Sequence, residues 1–360
     1  WKVVETGNAN NFVNYANQGA VTSSISFRSS RSRERNIQFY YNPDNIRQIT
    51  LQSAGIDTLP TTKLDALSFL NLRYNNLKNF PDFNVFSPNV TQLLLSRNPF
   101  YLSETPSERK LNQSIIDKIP AGLVRLDLPG TFYGSIDPNL FSKFTSITEF
   151  NLGRGGGAYF HPDGVHSGTP LPNIHKTCTT YTAYNNDFRT IASSSGDNKN
   201  IKELEDLSYL HLSGNYYLSD GGNFQLSPQN NKINYINLAA TGLNIPNLAS
   251  KAELENAYMH YMRSSGGLFS GNTYKFNNCT QLSTLYLYST NLSGSGGGRF
   301  PKFTNPSLTY LEMRYTGIKG GFKNGNIERD SHAIDAETFE DCINLQTFYV
   351  DSGNLSANSI

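Results

Sequence analysis

One cluster in the chain has residue types suited to binding a metal. The segment HPDGVH, residues 161–166, is followed by His175 and Cys178 and brings together three of the six histidines. Histidine and cysteine are the usual protein ligands of zinc. This spacing matches none of the common zinc motifs, however, and Cys178 falls on an apolar position of a repeat described below. We therefore expect an ordinary polar loop, with no metal and no other cofactor.

Sequence motifs for catalysis are absent. A nucleophile elbow, a phosphate-binding loop, an HExxH zinc motif and an EF-hand would each place reactive groups at a fixed spacing, and the sequence contains none of them. The glycine triplets at residues 155–157 and 296–298 lack the lysine that a phosphate-binding loop requires. We predict that the chain has no catalytic residues and is not an enzyme.

Composition excludes two classes of partner. Only 16% of the residues are charged and the formal net charge is +1, so no global field attracts nucleic acid or an anionic membrane. No stretch approaches the ~20 consecutive apolar residues that a membrane-spanning helix needs. The chain also begins without methionine and ends within a repeat-like run, so we expect a processed or excised piece of a longer protein.

An eleven-residue frame recurs along the chain, with apolar residues at positions 1, 4, 6 and 11 and a short polar residue at position 9. The clearest copy is LSFLNLRYNNL, residues 67–77. A degenerate twelfth copy is expected near residues 257–268. The eleven clear frames begin at Ile46, Leu67, Val90, Leu123, Ile147, Cys178, Leu207, Ile233, Leu282, Leu308 and Leu345.

The frame has a physical explanation as a short strand followed by a sharp turn. Side chains alternate along a strand, so positions 4 and 6 point inward while positions 3, 5 and 7 point outward. Each unit can bury its apolar edge only against its neighbours, which makes the stack the stable structure. At position 9 the chain turns within a buried corner, where asparagine or threonine can satisfy backbone groups that water cannot reach.

These residues resemble the leucine-rich-repeat family, whose signature LxxLxLxxNxL is intact at residues 67–77. The lead-in FxxCxxL at residues 276–282 and 339–345 is similar to irregular repeats of bacterial surface and phage-associated members. The resemblance covers roughly residues 46–355. It implies an α/β-type solenoid with a parallel sheet on the concave face and irregular loops with short helical turns on the convex face.

The domain organisation follows from where the frame is found. Residues 1–45 fit no frame, so we predict an N-terminal cap or linker, followed by a solenoid of about 11–12 units over residues 46–360. The three cysteines cannot form a fully paired disulfide framework. Cys279 and Cys342 lie two repeats apart in this register, roughly 9–10 Å, beyond the ~7 Å limit for a bridge. Both are therefore interpreted as small buried hydrophobic residues.

The outward face, defined here as the side chains at positions 3, 5, 7 and 8, is the concave face in the resemblance. Its C-terminal half is rich in tyrosine, which offers a large amphipathic contact area and is enriched at binding hot spots. The structural alternative is that tyrosine simply favours strands. The predicted binding residues are Tyr209, Tyr235, Tyr286, Tyr288, Tyr310, Glu312, Arg314, Tyr315 and Tyr349.

The N-terminal half of the same face contains four arginines. They are Arg73, Arg97, Arg125 and Arg154, beside Tyr74. These side chains could meet an acidic partner through bidentate contacts, but isolated solvated arginines are the favoured interpretation.

We conclude from the sequence that the chain is a non-enzymatic binding or structural module in a virion, outside a cell or on a cell surface. Its resemblance favours a phage tail or baseplate component, or a cell-surface adhesin, that contacts proteins of a larger assembly or a host-surface protein or glycan. The alternatives are the targeting arm of a secreted carbohydrate-active enzyme and an immune-type receptor ectodomain. The latter should have paired cysteines in terminal caps, whereas this chain has three cysteines.

Overall fold

The computed structural model describes residues 2–5, 12–14, 24–26, 37–39, 46–59, 61, 63–100, 111–128, 136–153, 170–222, 224–262, 269–270, 273–292, 302–316, 321–323, 326–328 and 336–350. The chain forms two compact units, Trp1–Val165 and His166–Ile360. Each unit contains a parallel sheet of three-residue strands, and each is described by itself.

The described residues of the first unit form two sheets and two short helices. Its strands are β1 (Lys2–Glu5), β2 (Phe12–Asn14), β3 (Ser24–Ser26), β4 (Ile37–Phe39), β5 (Gln48–Thr50), β6 (Phe69–Asn71), β7 (Gln92–Leu94), β8 (Arg125–Asp127) and β9 (Glu149–Asn151), and its helices are α1 (Phe83–Phe86) and α2 (Gln113–Ile116). Strands β2, β1 and β4 form an antiparallel sheet. Strands β3, β5, β6, β7, β8 and β9 pair in that order, all in parallel.

The second unit is built on seven parallel strands, with a 3₁₀ turn at Ala336–Phe339. The seven strands, in their order in the sheet, are β12 (Thr180–Thr182), β15 (Tyr209–His211), β16 (Tyr235–Asn237), β17 (Asn256–Tyr258), β20 (Thr284–Tyr286), β21 (Tyr310–Glu312) and β24 (Thr347–Tyr349). The loops carry four two-stranded pairs: β10 (Pro170–Leu171) with β13 (Thr190–Ile191), β11 (Ile174–His175) with β14 (Asn198–Lys199), β18 (Phe269–Ser270) with β19 (Thr273–Tyr274), and β22 (Gly321–Lys323) with β23 (Asn326–Glu328).

Strand register confirms the predicted leucine-rich-repeat fold. In each of the eleven clear frames, the strand occupies positions 3 to 5, and equivalent positions pair from repeat to repeat. The twelfth frame was misplaced, because β17 puts its first position at Leu254 rather than near Ala257. Strand β3 also adds to the sheet from within the predicted cap. The boundary at residue 45 stays a prediction.

Apolar residues at positions 4 and 6 form the core of each unit. Leu72, Leu95 and Leu128, at position 6 of three successive repeats, are completely buried. Burial of a leucine side chain contributes ~1.5–3 kcal/mol. A single repeat would not gain this stabilisation alone, because each leucine is covered by the repeats on either side of it.

A column of buried asparagine and threonine side chains at position 9 forms hydrogen bonds with the backbone groups of the turns. The Asn75 amide donates to the carbonyls of Leu51 and Leu72, both at 2.7 Å, and its oxygen accepts from the N–H groups of Ala54 and Ile56. The bonds therefore join one repeat to the next. Asn98 and Asn215 repeat the pattern, and the hydroxyls of Thr241, Thr290 and Thr316 each donate to the carbonyl of position 6 in their own repeat or the one before it.

A second column of buried hydrogen-bond donors, which we did not predict, lies three residues before the frame. In this column Asn230 donates to the carbonyls of Leu204 and Leu207, and the Lys251 ammonium donates to the Asn230 carbonyl. The three cysteines are buried and form no disulfide. Cys279 and Cys342 belong to this column, and the Cys279 thiol donates to the Leu248 carbonyl at 3.0 Å. The interpretation of these two cysteines as merely hydrophobic was therefore incomplete, since their thiols also act as donors.

The position-9 column predicts a large stability difference between adjacent asparagines. Replacement Asn75→Ala removes the side-chain donor to the Leu51 carbonyl and the acceptor for the N–H groups of Ala54 and Ile56, while the Leu72 carbonyl keeps its bond from Asn98. We therefore expect a loss on the order of 3 kcal/mol in the free energy of unfolding. Asn76 is exposed, and Asn76→Ala should change it by less than ~0.5 kcal/mol. Urea denaturation measures both, and equal effects would contradict the role assigned to the column.

Candidate binding face

The structure brings all nine predicted binding residues together on the outward face of the second unit. Six of them lie on strands β15, β16, β20, β21 and β24, at positions 3 or 5, and the other three follow these strands at positions 7 and 8. Because equivalent positions pair in register, residues far apart in the sequence become neighbours.

The tyrosines form a continuous row across the sheet, called here the tyrosine ladder. It consists of Tyr209, Tyr235, Tyr258, Tyr286, Tyr310 and Tyr349, with successive ring centroids 4.2, 5.5, 5.4, 4.7 and 5.9 Å apart. Tyr209 and Tyr235 are nearly parallel, at 5° between ring planes. These separations are close to the ~4.8 Å spacing between strands, so the sheet itself sets the stacking distance.

Sequence reasoning missed five aromatic residues of this face. Tyr258, Tyr261 and His260 were missed because the twelfth frame was started at the wrong residue. Starting it at Leu254 places Tyr258 at position 5, His260 at position 7 and Tyr261 at position 8. Tyr184 and His211 extend the ladder, with ring centroids 4.6 Å apart and 18° between ring planes. Both occupy outward positions of correctly placed frames, but His211 is not a tyrosine and Tyr184 lies one repeat before the predicted tyrosine group.

A second group, called here the rim, contains Tyr261, Tyr288 and Tyr315. The ring of Tyr288 meets those of Tyr261 and Tyr315 edge to face, at 5.1 and 5.4 Å. Tyr261 and Tyr315 are 51% and 63% exposed. Both have a left-handed backbone, with φ of 56° and 58°. Residues at position 8 of other repeats, including Ser53, Tyr74 and Ala240, have the same left-handed backbone, so this conformation belongs to the turn of the repeat.

Glu312 and Arg314 form an ion pair at the C-terminal end of the face. Two guanidinium nitrogens of Arg314 donate to the Glu312 carboxylate, at 2.8 and 3.0 Å. The guanidinium carbon also lies 5.5 Å from the ring centroid of Tyr288 and 4.9 Å from that of Tyr349. Glu312 is almost completely buried. This pair therefore fixes two tyrosines while leaving no net charge.

The two histidines of the face are neutral near pH 7. Burial lowers the pKa of His211 to about 4, and it also lowers the pKa of His260. Burial against neighbouring rings raises the pKa of Tyr209 and Tyr310, so their hydroxyls stay protonated. Among the described residues, the outward face of this unit is thus aromatic, rich in hydroxyls and uncharged overall.

The first unit carries a different outward face, on which the predicted arginines are mostly paired. Arg73 binds the buried carboxylate of Asp127, which also accepts from the Ser96 hydroxyl at 3.1 Å. Arg125 pairs with Glu149 at 3.0 Å. Paired side chains of this kind correct the favoured picture of isolated solvated arginines. The Arg97 guanidinium lies 5.7 Å from the ring centroid of Tyr74, and Arg154 lies outside the described residues.

The structure describes only part of the suspected metal cluster. Cys178 is buried, and the ring of His175 contacts the Thr177 hydroxyl at 3.0 Å. Residues 161–166 lie outside the described part. Among the residues that are described, no group of three or more histidine, cysteine, aspartate or glutamate side chains is arranged to hold a metal. No helix in that same part is long and apolar enough to cross a bilayer.

Comparisons with known proteins identify no family. No family model and no curated protein matches the chain. Among solved structures, the chain is similar to the functional domain of InlJ from Listeria monocytogenes, described as including a cysteine ladder, with TM-score 0.31 and 15% identity over 67% of this chain and 58% of that one. It is also similar to a leucine-rich-repeat protein of Leptospira interrogans, with TM-score 0.38 and 14% identity over 88% of this chain and 93% of that one.

Neither similarity is close, and the chain spans less than two thirds of the InlJ domain. The leucine-rich-repeat fold of this chain is therefore argued from its own strand register and its buried column at position 9.

Burial of His211 predicts a specific dependence of stability on pH. The unfolded chain binds a proton at this residue below about pH 6.5, whereas the folded chain does so only near pH 4. The unfolded state therefore binds more protons between these values, and the free energy of unfolding falls as the pH drops through this window.

The matched variant is His211→Asn, which installs the residue found at the same position in the next repeat, Asn237. Urea denaturation at pH 7 and pH 4.5 should show a smaller loss of stability for the variant than for the wild type. Equal losses in the two proteins would show that His211 is not buried in its neutral form.

Proposed function

We propose that this leucine-rich-repeat chain is a non-enzymatic binding module that contacts a protein partner through the outward face of its second unit. The observation that carries the proposal is the unbroken tyrosine ladder, with its exposed rim. Tyrosine combines rigid apolar area with a hydroxyl, and it is enriched in the residues that dominate interface energies.

A comparison between the units argues against a purely structural role for the ladder. The first unit forms the same parallel sheet with Gln48, Phe69, Gln92, Arg125 and Glu149 at position 3 of its frames. Stacked tyrosines are therefore not required for the fold. Their concentration in one unit, next to the exposed rings of Tyr261 and Tyr315, favours selection for contact.

We further propose that the module is displayed outside a cell, as part of a phage tail or baseplate or as a cell-surface adhesin. The low charged fraction, the polar loops rich in glycine and serine, and the irregular repeats support this setting. The two buried carboxylates of the outward faces, Asp127 and Glu312, are both bound by arginine. Their pairing supports structural roles rather than acid–base chemistry.

The proposal predicts that removing three ladder rings weakens partner binding. The variant Tyr286→Ala/Tyr310→Ala/Tyr349→Ala is called here the alanine variant. It should bind the partner protein at least ~100-fold more weakly than the wild type, because each hot-spot tyrosine contributes on the order of 1–2 kcal/mol. Tyr217→Ala is the control, because Tyr217 is 51% exposed but follows the corner rather than lying on the outward face. Biolayer interferometry measures both.

The melting temperatures of the same variants must be measured alongside their affinities. Lost ring stacking costs ~0.5–1.5 kcal/mol per pair, so the alanine variant should melt at a lower temperature yet remain folded at 25 °C. A folded alanine variant with unchanged affinity would show that the partner binds elsewhere.

A further inference from the structure

We infer that the ladder recognises an uncharged protein segment, which meets the edges and hydroxyls of the tyrosine rings rather than their faces. This inference rests on the proposed function and narrows the partner to one chemical class. Three features of the described residues support it: the ring contacts within the ladder, the hydroxyl bonding and the charge of the face.

The inner ladder rings have aromatic neighbours on both sides. Tyr235 lies between Tyr209 and Tyr258, and Tyr258 lies between Tyr235 and Tyr286. Tyr286 stacks on Tyr258 and on Tyr310, with ring planes 23° and 20° apart. The faces of these rings are therefore covered within the protein, and a partner can reach mainly their edges and hydroxyl ends.

Edge-on presentation favours protein over glycan. Sugar rings pack their C–H groups on uncovered aromatic faces, which the inner ladder does not offer. Ring edges carry the positive end of the aromatic quadrupole and prefer the faces of other aromatic rings. A protein segment supplies both such rings and backbone carbonyl acceptors, so it complements this surface.

Hydroxyl bonding within the ladder leaves donors for a partner. Tyr209 is hydrogen-bonded to Tyr235, and Tyr310 to Tyr286. The Tyr310 hydroxyl also donates to the Glu312 carboxylate, at 3.5 Å. A phenolic hydroxyl donates once and can accept as well. The Tyr209–Tyr235 pair therefore uses one hydroxyl proton internally and keeps the other for a carbonyl of the partner.

The described side chains of the ladder carry no net charge, which disfavours a strongly charged partner. Arg314 is neutralised by Glu312, and His211 and His260 carry no charge near pH 7. A carboxylate or ammonium group brought onto this surface would lose water without gaining a counter-charge, which is costly. The segment that fits is uncharged, with aromatic side chains.

Selection from a displayed random peptide library tests this inference without a known partner. The full chain serves as bait, and the library is first depleted on the alanine variant so that only peptides directed at the ladder remain. We expect enriched peptides to be poor in aspartate, glutamate and lysine and rich in aromatic residues. Their affinity should change less than ~2-fold between about 50 and about 500 mM NaCl, because no charge pairs are formed.

A second variant tests the role of the hydroxyls while preserving the stacks. Tyr235→Phe/Tyr286→Phe/Tyr310→Phe keeps every ring, so it should fold like the wild type and bind the selected peptides at least ~10-fold more weakly, through loss of hydrogen bonds. Unchanged affinity in this variant would overturn hydroxyl recognition.

Other outcomes separate this inference from the proposed function. Enrichment of charged peptides, a strong dependence on salt, competition by neutral oligosaccharides such as cellohexaose, or no enrichment at all would overturn the inference alone. A partner protein that binds the folded alanine variant as tightly as the wild type would overturn the proposed function as well.

Discussion

Hydrogen bonding at the buried corner of each repeat is the constraint on which the rest of the structure depends. The Asn75 amide bonds to carbonyls of its own repeat and of the preceding one, and Asn98 and Asn215 do the same. Since an unpaired buried backbone group is costly, successive repeats can stack only in the register that keeps these bonds. The register in turn fixes which outward side chains become neighbours.

The outward faces of the two units follow from that register. In the second unit it places tyrosines at positions 3 and 5 of adjacent strands, where the strand spacing brings the rings into stacking contact. In the first unit the same geometry brings Arg73 to Asp127 across two strand spacings. One backbone arrangement thus presents a tyrosine-rich surface in one unit and a surface with arginine–carboxylate pairs in place of tyrosines in the other.

The sequence predicted the fold better than the site. Leucine at positions 4 and 6 and asparagine or threonine at position 9 recur often enough to locate eleven frames correctly. The frame at Leu254 was lost because Ala257 and Met262 replace the expected large apolar and short polar residues, and three aromatic residues of the face were lost with it. Ring stacking, the clamp between Glu312 and Arg314, and the bond from Cys279 to the Leu248 carbonyl depend on side-chain orientation, which spacing alone does not specify.

Cross-linking across the sheet tests the register most directly. Tyr209 pairs with Tyr235 on the adjacent strand, and Tyr235 pairs with Asn256 on the next. Cysteines at 209 and 235 should be ~4.8 Å apart at their Cα atoms and form a disulfide under mild oxidation, whereas cysteines at 209 and 256 should be nearly 10 Å apart and remain reduced. Equal cross-linking of the two pairs, or none in the first, would contradict the stacked register and the ladder built on it.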